Sequence, residues 1–166
     1  MKALRIFILC FTAMVSSLSA AYAKEIVGYA EKTRIYPGEL DVRTRVDTGA
    51  RLASLHCECI SPIIRDGEDW VSFTVTNFAG EKIRLEKKVH RIATIKRHFG
   101  ETQERFVVEL GLCLGSVYRE TEVTLIDRAG LSYPMLIGRG FMGSDFLVDT
   151  AEKYINEPKC EIPLNK

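Results

Sequence analysis

The chain has 166 residues, 46% of them hydrophobic, and its 23 lysines and arginines nearly balance 22 aspartates and glutamates. That length suits one compact domain with a substantial core. A charge near neutrality with no basic stripe argues against a nucleic-acid partner, which would leave a strongly basic footprint.

The first feature along the chain is a leader. Lys2 and Arg5 precede an apolar run over residues 6–15, and Ala21-Tyr22-Ala23 forms a small-x-small cleavage site. This is the three-part layout of a secretory signal peptide over residues 1–23, cleaved after Ala23. The run falls short of the roughly 20 apolar residues a spanning helix needs. Cys10 lies inside it with Phe7 three residues before, unlike a lipoprotein acylation site. The expectation is an exported protein, periplasmic or secreted, with no membrane association after cleavage. Losing Lys2 and Arg5 moves its formal net charge from +1 to near −1.

Residues 24–157 read as one domain of short strands broken by turns, followed by a loosely held tail over residues 158–166. Residues 26–36 are strand-like and end at the turn dipeptide Pro37-Gly38. Residues 41–46 alternate strictly, with Val42, Thr44 and Val46 on one face and Asp41, Arg43 and Arg45 on the other, the mark of a half-buried strand. Residues 52–64 are extended and close at Asp66-Gly67. Residues 70–76 and 82–85 form a hairpin across Asn77-Phe78-Ala79-Gly80, a candidate flap. Further strands are expected over residues 89–95, 105–112 and 117–126, and a short helix after Gly138. Many short, turn-bounded strands predict a mostly β fold, a small barrel or sandwich.

Four cysteines remain after the leader: Cys57, Cys59, Cys113 and Cys160. An oxidising compartment favours one or two disulfides. Cys57 and Cys59 are too close to be obvious mutual partners, so bridges are expected to run from them to Cys113 and Cys160, with the connectivity open.

The candidate chemistry lies at Arg45-Val46-Asp47-Thr48-Gly49-Ala50, where an acid ends a strand. Gly49 permits a tight turn and a close approach by substrate or a second chain. Thr48 offers a hydroxyl across that approach. An ordinary strand-to-turn aspartate making a local contact is the plainer alternative.

A second segment, Pro134-Met135-Leu136-Ile137-Gly138-Arg139, makes the pair resemble retropepsins. In those enzymes the catalytic Asp-Thr-Gly-Ala is followed much later by two apolar residues, Gly, Arg and a short helix. The spacing is longer here than in retroviral proteases, so an insertion must be absorbed. The chain is similar, in order and over nearly the whole domain, to a bacterial retropepsin-like family often labelled ATP-dependent zinc proteases. The match runs through residues 46–51, Leu55-His56, residues 70–73, 105–109, 123–128 and 134–139.

The resemblance implies a small closed barrel of the acid-protease type with Asp47 as catalytic carboxylate. It further implies Thr48, Gly49 and Ala50 as the active-site loop, and Gly138 and Arg139 as support. It implies an endopeptidase acting on peptide or protein through two carboxylates sharing a proton, with a homodimer supplying the second Asp47 and no cofactor. Retroviral enzymes pair the late arginine with an acid after the catalytic alanine. Arg51 stands there, so Arg139 needs another partner. Phe146-Leu147-Val148-Asp149-Thr150-Ala151 mimics a second motif, but Ala151 replaces its glycine and Asp149 reads as structural.

The family label's nucleotide and zinc have no motif here: neither Gly-x-x-x-x-Gly-Lys-Ser/Thr nor His-Glu-x-x-His occurs. His56-Cys57-Glu58-Cys59 is the one metal-like cluster, and it reads better as disulfide cysteines beside a packed histidine, with no metal expected. His90 and His98 read as surface residues. The rival functions are a non-catalytic peptide- or protein-binding member of the same fold, a zinc peptidase using His56, Cys57 and Cys59, and a small-ligand barrel.

Overall fold

The structure is a computed structural model, and it describes residues 23–95 and 102–163. Residues 1–22 of the expected leader, His98 and residues 164–166 lie outside the described residues. Among the described residues, twelve strands and one short helix follow in order: β1 (Glu25–Gly28), β2 (Ala30–Tyr36), β3 (Leu40–Val46), β4 (Ala53–His56), β5 (Glu58–Arg65), β6 (Glu68–Thr76), β7 (Lys82–Lys88), β8 (Arg91–Ile95), β9 (Gln103–Leu114), β10 (Val117–Ile126), β11 (Met135–Ile137), α1 (Arg139–Met142) and β12 (Phe146–Asp149).

Six strands close on themselves. They run in the order β10-β4-β11-β3-β2-β9, and the β9–β10 hairpin completes the ring, with β8 paired to the free side of β9. The expected closed barrel and the single helix after Gly138 are both present. Alternation explains the interior: β3 buries Val42, Thr44 and Val46 and turns Arg43 and Arg45 outward. Leu55, Leu110, Val123, Met135 and Ile137 meet them inside. A separate three-stranded sheet, β5-β6-β7, packs beside the barrel, and its Val71, Phe73, Val75 and Leu85 join the same buried cluster.

Two expected strands are each divided. Residues 26–36 break at Tyr29, where β1 leaves the barrel to pair in parallel with β12. Gly28 makes the crossing possible, because a Cβ there would sit 2.5 Å from the Glu152 carbonyl oxygen. Fully buried Glu31 ties the junction, its carboxylate accepting from the N–H groups of Gly28 (2.7 Å) and Asn156 (3.2 Å). A carboxylate shielded from water is tolerable when donors of this kind satisfy it. Residues 52–64 break at Cys57, where the chain passes from barrel strand β4 to outer strand β5.

One disulfide is present, as expected, but the expected partners are corrected. Cys113 and Cys160 bridge each other, with Cα atoms 5.9 Å apart, while Cys57 and Cys59 are free thiols. Cys57 points into the core, and Cys59 is exposed on β5, so neither faces a cysteine partner. The bridge closes a long loop, an effect of about 4 kcal/mol on chain-entropy grounds. It also corrects the loose tail: Lys159 donates its N–H to the Gly115 carbonyl (2.8 Å), and Pro158 is buried. Native maleimide labelling is expected to modify Cys59 and spare Cys57, whose thiol is pushed up by burial. Cys113 and Cys160 should label only after reduction; labelling of either without reductant, read by mass spectrometry, would refute the bridge.

Candidate active site

Asp47 stands where β3 leaves the barrel. Its N–H donates to the Ile137 carbonyl on neighbouring β11 (2.9 Å), which anchors the start of the loop. Its Oδ1 accepts from the N–H groups of Gly49 (2.8 Å) and Ala50 (3.2 Å). This is the contact an aspartate makes on entering a tight turn, and it holds the carboxylate in one orientation. Oδ2 has no hydrogen bond among the described residues. The side chain is half-buried, and Thr48 and Gly49 are exposed beside it.

The second segment meets the first as the two motifs require. Parallel pairing of β11 with β3 sets Ile137 beside Val46, so the chain after it runs along the loop. Arg139 donates its N–H to the Ala50 carbonyl and Gly140 to the Arg51 carbonyl, both at 2.9 Å. Gly138 leaves no space for a side chain: a Cβ would lie 2.7 Å from Leu52 O and 2.8 Å from Ala50 O. The Arg139 guanidinium finds its partner in the loop itself, with Nη1 donating to the carbonyls of Thr48 (2.6 Å) and Gly49 (2.8 Å). It clamps the turn through backbone oxygens where an acid at position 51 would otherwise pair with it.

An open cleft of about 730 Å³ adjoins Asp47, lined by Tyr29, Arg45, Val46, Thr48, Val148 and Thr150. Among the described residues that line it, Asp47 is the one carboxylate. Asp149, next to Thr150, is exposed and spends Oδ1 on the N–H of Ala151 (2.8 Å). The candidate flap at Asn77–Lys82 contributes nothing to this cleft. Asn77 Oδ1 closes its turn by accepting from the N–H groups of Ala79 and Glu81, and Phe78 lies under Arg43, 5.5 Å from ring centre to guanidinium.

Sequence reasoning assigned no role to Arg128. Half-buried on the loop after β10, it donates from Nη1 to Ser54 Oγ (3.1 Å) and from Nε to the Tyr133 carbonyl (3.2 Å). Burial lowers its pKa, while the nearby Asp47 charge acts in the opposite direction. Local spacing gives no signal for this, because Arg128 reaches the site only when the barrel closes.

The metal-like cluster disperses. His56 Nδ1 accepts the Arg128 N–H (2.9 Å), which occupies that nitrogen's lone pair. Cys57 faces the core, and the Glu58 carboxylate is held down chiefly by its hydrogen bond from Lys82. Among the described residues, no group of three or more His, Cys, Asp or Glu side chains is placed to hold a metal ion. The reading of Cys57 and Cys59 as disulfide cysteines fails for the reason given above. His90 is exposed, with Nε2 3.3 Å from Glu122.

Comparison with known proteins matches this geometry. A crystal structure of a Legionella pneumophila protein of unknown function superposes with a TM-score of 0.68 at 30% identity, covering 81% of this chain and all of the other. A Shewanella pealeana protein named "Probable alpha-L-glutamate ligase" is 38% identical over 128 residues, 75% of this chain and 28% of its own. A Desulfotalea psychrophila protein of the same name is 33% identical over 139 residues, 81% of this chain and 30% of its own. The chain thus spans less than a third of the curated relatives it matches. A family model described as "RimB-like: Retropepsin-like aspartic endopeptidase RimB" matches residues 26–159, nearly the whole described chain, and the chain belongs to that family.

Proposed function

We propose that the chain is an aspartic endopeptidase that works as a homodimer, with the two Asp47 carboxylates meeting at the twofold axis. The observation that carries this reading is the Asp47 loop: one carboxylate oxygen held by two backbone N–H groups, the other unengaged, in a cleft with no second acid. Two carboxylates about 3 Å apart cannot both ionise, so the pair would hold one proton between them. The ionised member takes a proton from water as it attacks the scissile carbonyl, and the protonated member donates a hydrogen bond to the carbonyl oxygen. Thr48 would bond across the axis, where exposure leaves its hydroxyl open.

The two-stranded β1–β12 sheet supports a second copy. Ile26 and Leu147 are register partners on it, both about half exposed (54% and 52%), and Val148 of the same strand lines the Asp47 cleft. An isologous contact would cover this apolar pair in both subunits. Leu147→Asp is expected to give a monomer by sedimentation and to lose activity with it. Full activity in a protein that sediments as a monomer would refute the dimer. The expected leader and the Cys113–Cys160 bridge favour export.

The relatives' printed name suggests the substrate class. Those proteins are named for joining glutamate, and this chain corresponds to one part of them. The reading therefore extends to peptides that carry glutamate.

A further inference from the structure

A second cavity, of about 390 Å³, lies on the outer face of β9 and β10 and shares no lining residue with the Asp47 cleft. Its base is a row across three strands, because register sets Tyr36 beside Gly111 and Gly111 beside Glu120. Register partners project from one face of a sheet, so Tyr36 and Glu120 flank the glycine on the same side. Gly111 lets the Tyr118 ring fold across it: a Cβ there would lie 2.3 Å from the phenol oxygen. The Tyr36 and Tyr118 rings stand edge to face, with centres 5.7 Å apart. Lys87 of β7, Glu109, Pro37 and Ile162 complete the lining. Ile162 is held near by the bridge from Cys160 to Cys113 on β9.

The charges on this face run against what a sheet alone favours. Glu109 stands directly opposite Glu122, and Glu120 lies two residues from Glu122 on the same face. Like charges placed opposite each other destabilise a sheet. Arg91 and His90 neutralise Glu122. Among the described residues, Glu109 and Glu120 make no ion pair, and both are exposed in the cavity. Local choices that weaken a fold are expected where a protein binds something. Lys87 is the one cation in the lining, so two carboxylates outnumber it there. Partial burial first, and the Glu120 charge second, raise the Tyr118 pKa, so its ring meets a ligand as a neutral phenol. A tyrosine ring attracts a cation over its face, and carboxylates bond an ammonium through charge-assisted hydrogen bonds. An alkyl chain ending in an ammonium fits both, with its methylenes against the rings.

We propose that this cavity binds an alkylammonium group, either a lysine side chain of a partner peptide or a free diamine of the same chemistry. The test titrates nitrogen-15-labelled protein at low salt and follows the Gly111 amide resonance at the base of the cavity. Acetyl-Gly-Gly-Lys-Gly-Gly-amide should shift it saturably. The same peptide with norleucine for lysine should bind about tenfold more weakly, as lost charged hydrogen bonds imply. Cadaverine distinguishes the sources, since whichever of it and the lysine peptide binds tighter names the ligand. Glu120→Gln and Glu109→Gln should each weaken the lysine peptide about fivefold. Tyr118→Leu should weaken it about threefold, the effect of losing an exposed cation–π contact. Lys87→Gln should tighten it about twofold by removing a like charge. Both glutamates are exposed, so their variants are expected to fold. A Gly111 resonance that neither ligand shifts saturably overturns the proposal. So does a norleucine peptide that binds as well as the lysine one, or an affinity unchanged in both glutamate variants. Weaker binding in Lys87→Gln would also overturn it, because that lysine would then be holding an anion.

Discussion

Asp47→Asn is expected to leave fold and dimer intact and to abolish peptide cleavage, by a factor on the order of 10⁴ or more. The asparagine oxygen can still accept from the N–H groups of Gly49 and Ala50, so the loop keeps its local bonds. What it loses is the ionisable oxygen, and with it both the proposed base and the proton that the proposed pair would share. Stability should change by less than about 1 kcal/mol, as for other substitutions that leave packing alone. Asp149→Asn supplies the contrast: its carboxylate serves a turn at Ala151, so activity should stay within a few-fold of wild type. Chelators should not inhibit, because the proposed chemistry uses carboxylates alone. An Asp47→Asn protein that still cuts, with mass spectrometry confirming the substitution, would mean the mechanism is wrong. Mixing wild type with excess Asp47→Asn gives a second measurement. Inactive heterodimers should pull activity below the simple dilution line.

The parts of this site that sequence made legible are those set by neighbouring residues. Alternation over β3 put Val42, Thr44 and Val46 inside and fixed the outward parity of Arg43 and Arg45, because a strand's faces follow its own pattern. Asp47 and Gly138 were readable for a related reason: an acid before Thr-Gly, and a glycine ending an apolar run, each announce a tight contact. What stayed hidden depends on which distant segment arrives. The break at Tyr29 exists because β12 offers β1 a parallel partner about 120 residues later in sequence. Cys113 meets Cys160 because the C-terminal segment returns to Gly115, which no spacing reveals. Arg139 takes loop carbonyls where a paired acid was sought, and its sequence context is the same in either case. Arg128 feels the Asp47 charge only because distant strands bring it there, where its guanidinium bonds Ser54 and Tyr133.

Gly138→Ala should harm this protein more than its single added methyl suggests. The backbone there is extended, with φ −100° and ψ 179°, so alanine meets no conformational penalty and the effect is steric. The added Cβ would lie 2.7 Å from Leu52 O and 2.8 Å from Ala50 O and Arg51 C, all backbone atoms with no rotamer to yield. Either the segment after β11 retreats or the Asp47 loop does. Either movement stretches the bonds from Arg139 and Gly140 to the Ala50 and Arg51 carbonyls. Overpacking of this kind costs about 1–3 kcal/mol, readable as a shift in urea midpoint. Activity should fall further than stability accounts for, since displacing a catalytic group by about 1 Å can cost on the order of 10²-fold in rate. Gly130→Asn separates this from a general intolerance of glycine replacement. Gly130 has open space around it and a φ of +84°, which asparagine tolerates better than most residues, so that variant should keep nearly full activity. A Gly138→Ala protein with wild-type midpoint and wild-type kcat/KM would show that the two segments do not pack as closely as 2.7 Å requires. The clamp on the Asp47 loop would then have to come from Arg139 alone.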